Sequence, residues 1–224
     1  MKKLFNIVIA LITSFSLFAQ KYYPGCSGST SSVIMFDIKN TNTYNGKKET
    51  DIISKFDSLD RITLERFIID RLNYYRKSIG VKLLTYDATI FPATYHHALY
   101  QRLIKQQTHS ENIDLPNFTE LDINGRFKLL NQNVHYNIGE GLGTQGFQIP
   151  GYASSCPNVT YKKLVDQFVS PNIGYITSKA HWNDIMNPKW DAICIYYDFE
   201  YLKPVPAEPV YIYANVTLVY TQYK

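Results

Sequence analysis

The chain has 224 residues, 45% of them hydrophobic and 19% charged, with a formal net charge of +4. That size and balance suit one domain with a real core, and the small charge gives no reason to invoke nucleic acid as a partner. Nineteen tyrosines add aromatic character without specifying an activity.

The first segment, "MKKLFNIVIALITSFSLFAQ", decides the compartment. Lys2 and Lys3 form a short basic region, Leu4 to Leu17 is mostly apolar, and Ala19 is a small residue at a suitable cleavage point. Thr13, Ser14 and Ser16 interrupt the apolar run, which falls short of the roughly 20 residues a spanning helix needs. Residues 1–19 therefore read as a secretory signal peptide, and the mature chain as secreted or periplasmic. No later segment reads as a transmembrane anchor. Cys26 does not read as a lipoprotein cysteine, because "YPG" precedes it. Cys26, Cys156 and Cys194 leave room for one disulfide and one free thiol in an exported chain, without a pairing legible from sequence.

Residues 20–60 are rich in Ser, Thr, Asn, Lys and Gly and read as an arm or linker, with at most one short strand around Val33–Phe36. The folded domain is expected over 61–224. Its first helix has Thr63 as the expected N-cap and Glu65 in the first turn. Leu64, Phe67, Ile68, Leu72 and Tyr75 form one apolar face, and Gly80 closes the helix. A second helix follows "VKLLTYD", with Pro92 in its first turn and Leu99, Leu103 and Ile104 on its expected inner face. His96 and His97 fall within it and read as surface or satisfied core groups.

A short helix is expected around "NGRFKLL", and "VHYNI" reads as a short strand entering a loop over 141–159. "YKKLVDQFV" is helical at the 3.6 period, and "HWNDIM" is a helical turn stopped by Pro188. "DAICIYYDFEYL" and "PVYIYANVTLVYT" then read as two strands joined by "KPVPAEP". Helices early and antiparallel strands late make the fold class α+β.

"NIGEGLGTQG" carries the spacing Gly141-x-Gly143-x-x-Gly146 of a dinucleotide-binding loop. Such a loop must open a helix, and "FQIPGYASSCPN" cannot, so the spacing is read as coincidental and the glycines as a flexible loop. Glu140 is the chemically capable residue of the stretch. His109, in "QQTHSE", and His181, in "YITSKAHWNDIMNP", stand in polar company. With Glu140 these two imidazoles would make a partial zinc site with one position open to water. The three lie on separate segments, so spacing does not establish the site, and no H-E-x-x-H or G-x-S-x-G is present. His135 lies in the short strand, buried or exposed.

The order of motifs resembles the CAP superfamily of cysteine-rich secretory, antigen 5 and pathogenesis-related proteins, in its bacterial SCP-like branch. The matching residues run from Asn73, Arg76, Gly80, Leu84 and Asp87, through "THS" and "IGEG", to "YITSKAHWNDIMNP" and the two closing strands. Gly141 stands where the family usually has Asn, and Tyr175 where it has Trp. The resemblance implies a three-layer α-β-α sandwich with a central cleft lined by two histidines and two acids, with divalent metal bound in several members. Carried over, His109 and His181 match the metal-ligating histidines and Glu140 the acid, the candidate catalytic group. Ser178 occupies the slot of the second acid, and Ser110, Ser178 and Trp182 are expected to line the cleft. The implied cofactor is Zn2+ or another divalent cation.

The function expected is an exported binding or interaction protein for a small hydrophobic ligand, such as a lipid or sterol, or for an extracellular protein partner. One alternative is a zinc-dependent, peptidase-like hydrolase with Glu140 as base; another is a structural or adhesive secreted module.

Overall fold

A computed structural model describes residues 40–53, 59–129, 135–149, 160–169, 178–201 and 210–223. The expected signal peptide, the strand around Val33–Phe36, Tyr175, Cys26, Cys156 and most of the 141–159 loop lie outside these residues.

The described chain opens with a small hairpin, β1 (Thr43–Tyr44) and β2 (Lys47–Lys48), turning at Asn45 and Gly46. Both turn residues have positive φ, 49° and 73°, the backbone that an Asn-Gly pair adopts most readily in a two-residue hairpin. The segment expected as an arm is thus tied to the helix behind it in its later part. Tyr44 donates to Asp70 at 2.9 Å, and Glu49 meets Arg71 at 3.0 Å with both side chains buried.

Helix α1 (Arg61–Ser78) buries Leu64, Phe67, Ile68 and Leu72, the face read from the period, with Tyr75 partly buried beside them. Its N-cap is Asp60 rather than Thr63. The Asp60 carboxylate accepts the Thr63 N–H at 3.0 Å and the Thr63 hydroxyl at 2.7 Å. An acid one turn earlier satisfies an orphan N–H and sits at the positive end of the helix dipole. Ile79 caps the C-terminus, and Gly80 follows at φ 74°.

The resemblance placed Asn73 and Arg76 in a motif, and their roles are structural. Asn73 bonds both the N–H and the carbonyl of Leu84 at 2.8 Å, stitching the chain back onto α1. Arg76 is fully buried and donates to the carbonyls of Lys82, Ile185 and Asn187.

The main sheet has the order β3-β5-β6-β4, with β3 (Thr85–Tyr86), β4 (His135–Ile149), β5 (Ala192–Tyr201) and β6 (Val210–Tyr223). β3 runs parallel to β5, and the other pairings are antiparallel. Helices α2 (Phe91–Ile104), α3 (Ile123–Leu129), α4 (Tyr161–Val169) and α5 (Lys179–Ile185) complete the set. Alternate residues of β5 and β6 enter different cores, as a period of two dictates. Ile193, Ile195, Val216 and Leu218 pack with α1, α4 and α5. Ala192, Cys194 and Val219 pack with Ile90, Ala93 and Phe127, the last two from α2 and α3. Helices therefore cover both faces of an α+β fold, in helix–sheet–helix order. Cys194 is a free, buried thiol.

The strand expected to end near Ile138 continues instead to Ile149, paired residue by residue with β6. Gly141, Gly143 and Gly146 oppose Leu218, Val216 and Tyr213. They are ladder residues and not a flexible loop, because β6 supplies an unbroken row of partners. Gly139 has a packing reason: a Cβ there would lie 2.8 Å from Cζ2 of Trp190. That indole stacks on Tyr220, the strand partner of Gly139, with ring centroids 5.8 Å apart. Among the described residues no helix is long and apolar enough to cross a membrane.

Candidate functional site: a buried His–Glu–Arg–Glu–His network

Glycine at 139 lets the ladder lie against Trp190, and the next residue, Glu140, necessarily points to the opposite face. There it meets α2 and α3. Helix α2 does not bury the expected face: Leu103 is 47% exposed, while Ala93, Thr94, His97, Ala98, Tyr100 and Gln101 are buried. Small residues let this helix approach the sheet, and its polar ones have partners waiting, as a buried polar group requires. Gln101 donates to Thr217 at 3.0 Å, for example.

The segment after α2 carries His109 and Glu111. The Tyr100 hydroxyl accepts the Asn112 N–H at 2.7 Å, and the Leu121 carbonyl accepts the Glu111 N–H at 2.9 Å, which fixes Glu111 inward. Asp122 accepts the Gly125 N–H at 2.9 Å at the start of α3, and Arg126 and Phe127 are buried one turn on.

Four buried side chains and one exposed one then join. Arg126 donates from Nη2 to Oε1 of Glu140 at 2.6 Å and from Nη1 to Oε1 of Glu111 at 3.3 Å. His97 places Nδ1 2.8 Å from Oε1 of Glu111 and Nε2 2.7 Å from the Thr108 carbonyl. Thr119 donates its N–H and hydroxyl to Oε2 of Glu111 at 2.7 and 2.9 Å. His109 lies with Nδ1 3.0 Å from Oε2 of Glu140, and His97 Nε2 stands 3.6 Å from the same oxygen. The side chains of His97, Glu111, Arg126 and Glu140 are at most 3% exposed, that of His109 66%.

Electrostatics follow from these contacts. Burial works against the charge of Glu111, but its hydrogen bonds to His97 and Thr119 and the Arg126 charge outweigh that and hold its carboxyl below the ordinary range. The Thr108 carbonyl can only accept, so Nε2 of His97 carries a hydrogen. Nδ1 faces the Glu111 carboxylate. The hydrogen bond to Glu140 raises the His109 pKa above its usual value, against the pull of desolvation, with Asp184 of α5 adding to the rise.

His109 and Glu140, expected together, are in hydrogen-bonding contact. Ser110 is exposed and turns its N–H onto the Thr108 hydroxyl at 3.2 Å. Ser178 is the N-cap of α5, its Oγ 3.5 Å from the His181 N–H. His181 is half-buried on that helix, whose Asp184 acts on His109. Trp182 packs edge-on against Tyr75 at 5.7 Å, on the core side of α5. His96 is exposed, whereas His97 belongs to the network. The side chain of His135 lies outside the described residues.

Sequence reasoning missed Glu111 and Arg126. The available signal was an arginine beside Phe127 on the inner side of a short helix, and an acid two residues after His109. A divalent metal on His109, His181 and Glu140 does not fit the residues as placed. Both Glu140 oxygens are already engaged, one of them by a guanidinium. Among the described residues no group of three or more His, Cys, Asp or Glu is arranged to hold a metal ion.

No family model matches the chain, and no curated protein sequence matches it. Solved structures with a similar fold include an extracellular protein containing an SCP domain from Bacillus anthracis str. Ames, at 13% identity and a TM-score of 0.48, covering 72% of this chain and 41% of that one. An outer surface protein from Borrelia burgdorferi matches at 13% identity and a TM-score of 0.42, over 78% of this chain and 99% of that one. A cysteine-rich secretory protein from Staphylococcus aureus subsp. aureus Mu50 matches at 13% identity and a TM-score of 0.38, over 74% of this chain and 40% of that one. The chain thus spans about two fifths of the length of the first and third. The solved structures similar to this chain include SCP-domain and cysteine-rich secretory proteins, the family that its motif order resembles.

Proposed function

We propose that this chain is an exported, SCP-like binding module rather than a hydrolase. The observation that carries the reading is the engagement of both Glu140 oxygens, Oε1 by Arg126 at 2.6 Å and Oε2 by His109 at 3.0 Å. A general base must offer a lone pair to the proton it removes, within hydrogen-bonding reach of substrate. Here the carboxylate is 3% exposed and turned to fixed donors inside the protein. The network works as a rigid floor that presents one polar group, the His109 ring, to solvent.

The segment that carries His109 also exposes Ile113, Leu115 and Leu121, at 73%, 39% and 62%. An imidazole that Glu140 holds toward its charged form, flanked along the chain by exposed aliphatic side chains, suits recognition of an extracellular partner or a small apolar ligand. Export rests on the signal-peptide reading of residues 1–19.

The test is a screen of the purified mature protein against casein, peptide and ester substrates, with and without added Zn2+, run beside Glu140→Gln. The expected result is no turnover above that of the variant. Turnover by the wild type that Glu140→Gln abolishes overturns the reading.

A further inference from the structure

A buried cation ordinarily faces a carboxylate, and Arg76 does not. Its side chain is fully buried, yet among the described residues every acceptor of its hydrogen bonds is a backbone carbonyl. Those carbonyls belong to Lys82 at 2.7 Å, Asn187 at 3.2 Å, Trp190 at 3.5 Å, and Ile185. The bonds gather the C-terminus of α1, the loop 79–84 and the turn 185–190 at one end of the molecule. The starts of β3 and β5 and the finish of β6 lie at the same end. There the Asp191 carbonyl accepts the Thr85 N–H at 2.9 Å, and the Asp191 carboxylate accepts the Tyr223 N–H at 3.0 Å.

What this end shows to solvent is apolar and basic. Tyr74, Ile79 and Leu83 are 50%, 52% and 51% exposed. Lys77, Lys82 and Lys189 are exposed on the same three segments. No Asp or Glu occurs from residue 71 to residue 86. Asp87 and Asp191, the acids at this end, are engaged by the Tyr223 hydroxyl at 2.7 Å and by Lys82. Arg76, Lys77, Lys82 and Lys189 against Asp87 and Asp191 leave the surface positive. We infer that this end is a docking surface for an anionic lipid bilayer: Tyr74, Ile79 and Leu83 enter the interface, and the lysines meet the acidic headgroups.

The two kinds of residue choose the occupant together. A soluble polyanion would be held by the lysines and would leave the apolar side chains in water. An apolar protein partner would leave the lysines unanswered. A bilayer of acidic lipid answers both, since apolar groups settle at the headgroup boundary and each nearby lysine is drawn to the negative surface. Geometry lowers the cost. The Val81 N–H bonds the Arg76 carbonyl at 2.9 Å, and the Arg76 side chain bonds the Lys82 carbonyl, so Ile79 and Leu83 project from a loop whose backbone is already fixed. This surface uses neither His109 nor the aliphatic side chains near it, so either reading can fail alone.

The experiment mixes the mature chain with sucrose-loaded vesicles of phosphatidylcholine, alone or with phosphatidylglycerol, and measures the fraction that sediments. Wild type is expected to sediment with the phosphatidylglycerol vesicles at low ionic strength, to be released by salt, and to stay in solution with phosphatidylcholine alone. Lys77→Gln with Lys189→Gln should weaken partitioning about thirtyfold, because each lysine near an acidic surface is worth about fivefold. Ile79→Ser with Leu83→Ser should weaken it by about the same factor, as half-exposed aliphatic side chains lose their burial. Circular dichroism checks that each double variant is folded. Lys105→Gln with Lys128→Gln removes two exposed lysines from the other helical layer and should bind like the wild type. A wild type that stays in solution with the acidic vesicles overturns the inference. So does equal weakening by the Lys105 and Lys128 pair, which would trace binding to net charge. Binding that the Ile79 and Leu83 pair leaves unchanged also overturns it, and would make the surface a site for soluble polyanions.

Discussion

The Glu140 carboxylate meets two basic side chains in different surroundings, and the difference is measurable. Toward Arg126 the pair is buried, 3% and 1% exposed; toward His109 one partner is 66% exposed. Removing one charge of a buried pair strands the other and costs about 3–5 kcal/mol. A glutamine at 140 still accepts one N–H from Arg126, which places Glu140→Gln near the lower end, about 3 kcal/mol. The exposed bond to His109 is worth about 0.2–1 kcal/mol, so His109→Ala should lose no more than that. For a domain of this size each kcal/mol moves the melting temperature by about 2–4 °C, which predicts losses of about 6–12 °C and at most about 4 °C. Thermal unfolding at pH 7, checked by urea titration, separates the two. A second readout is the NMR titration of His109, whose midpoint should lie above 6.5 in the wild type and fall in Glu140→Gln. Equal losses in the two variants, or a His109 midpoint that Glu140→Gln does not move, would show that the network is not built as described.

Two further outcomes test the fold that carries the site. Burial pushes Glu65 from 4.5 up to about 7, although its carboxylate accepts the Ile195 N–H. Between those values the folded protein holds a proton that the unfolded chain has released. Stability therefore falls as pH rises from about 4.5 to about 7, by about 3 kcal/mol when complete. Glu65→Gln keeps the acceptor and removes the titration, so its urea midpoint should match the wild type near pH 4.5 and exceed it at pH 8; parallel profiles would refute this. Gly139→Ala puts a methyl group 2.8 Å from Trp190, and overpacking of that kind costs about 1–3 kcal/mol. Unchanged stability and unchanged tryptophan fluorescence would mean that the indole does not rest on the glycine.

What could be read in advance was what periodicity encodes. The apolar face of α1 and the strand patterns of β5 and β6 declare themselves because burial there is apolar. The inner face of α2 did not, since it is built from Ala, Thr, His and Gln whose partners come from distant segments. Arg126 and Glu111 were invisible for the same reason: a charge reads as surface until its counter-charge is placed, and β4 places it. The extension of β4 through four glycines was hidden because its stability comes from the facing strand and not from local propensity. His109 and Glu140 were paired by motif order, which carries positional information that spacing alone lacks.

The position of β6 has a consequence for when the protein can fold. It is the latest strand along the chain and yet lies between β5 and β4. Neither β4 nor β5 gains its long antiparallel partner until residues 210–223 are available. A growing chain therefore carries α1, α2 and their apolar faces without a complete sheet to cover them, and Glu140 without the β6 partner that fixes its strand. Loop closure of this range is slow, and the half-made chain exposes surface that must be kept from sticking. A fold whose central strand comes last in order cannot close its main sheet until residues 210–223 are in place.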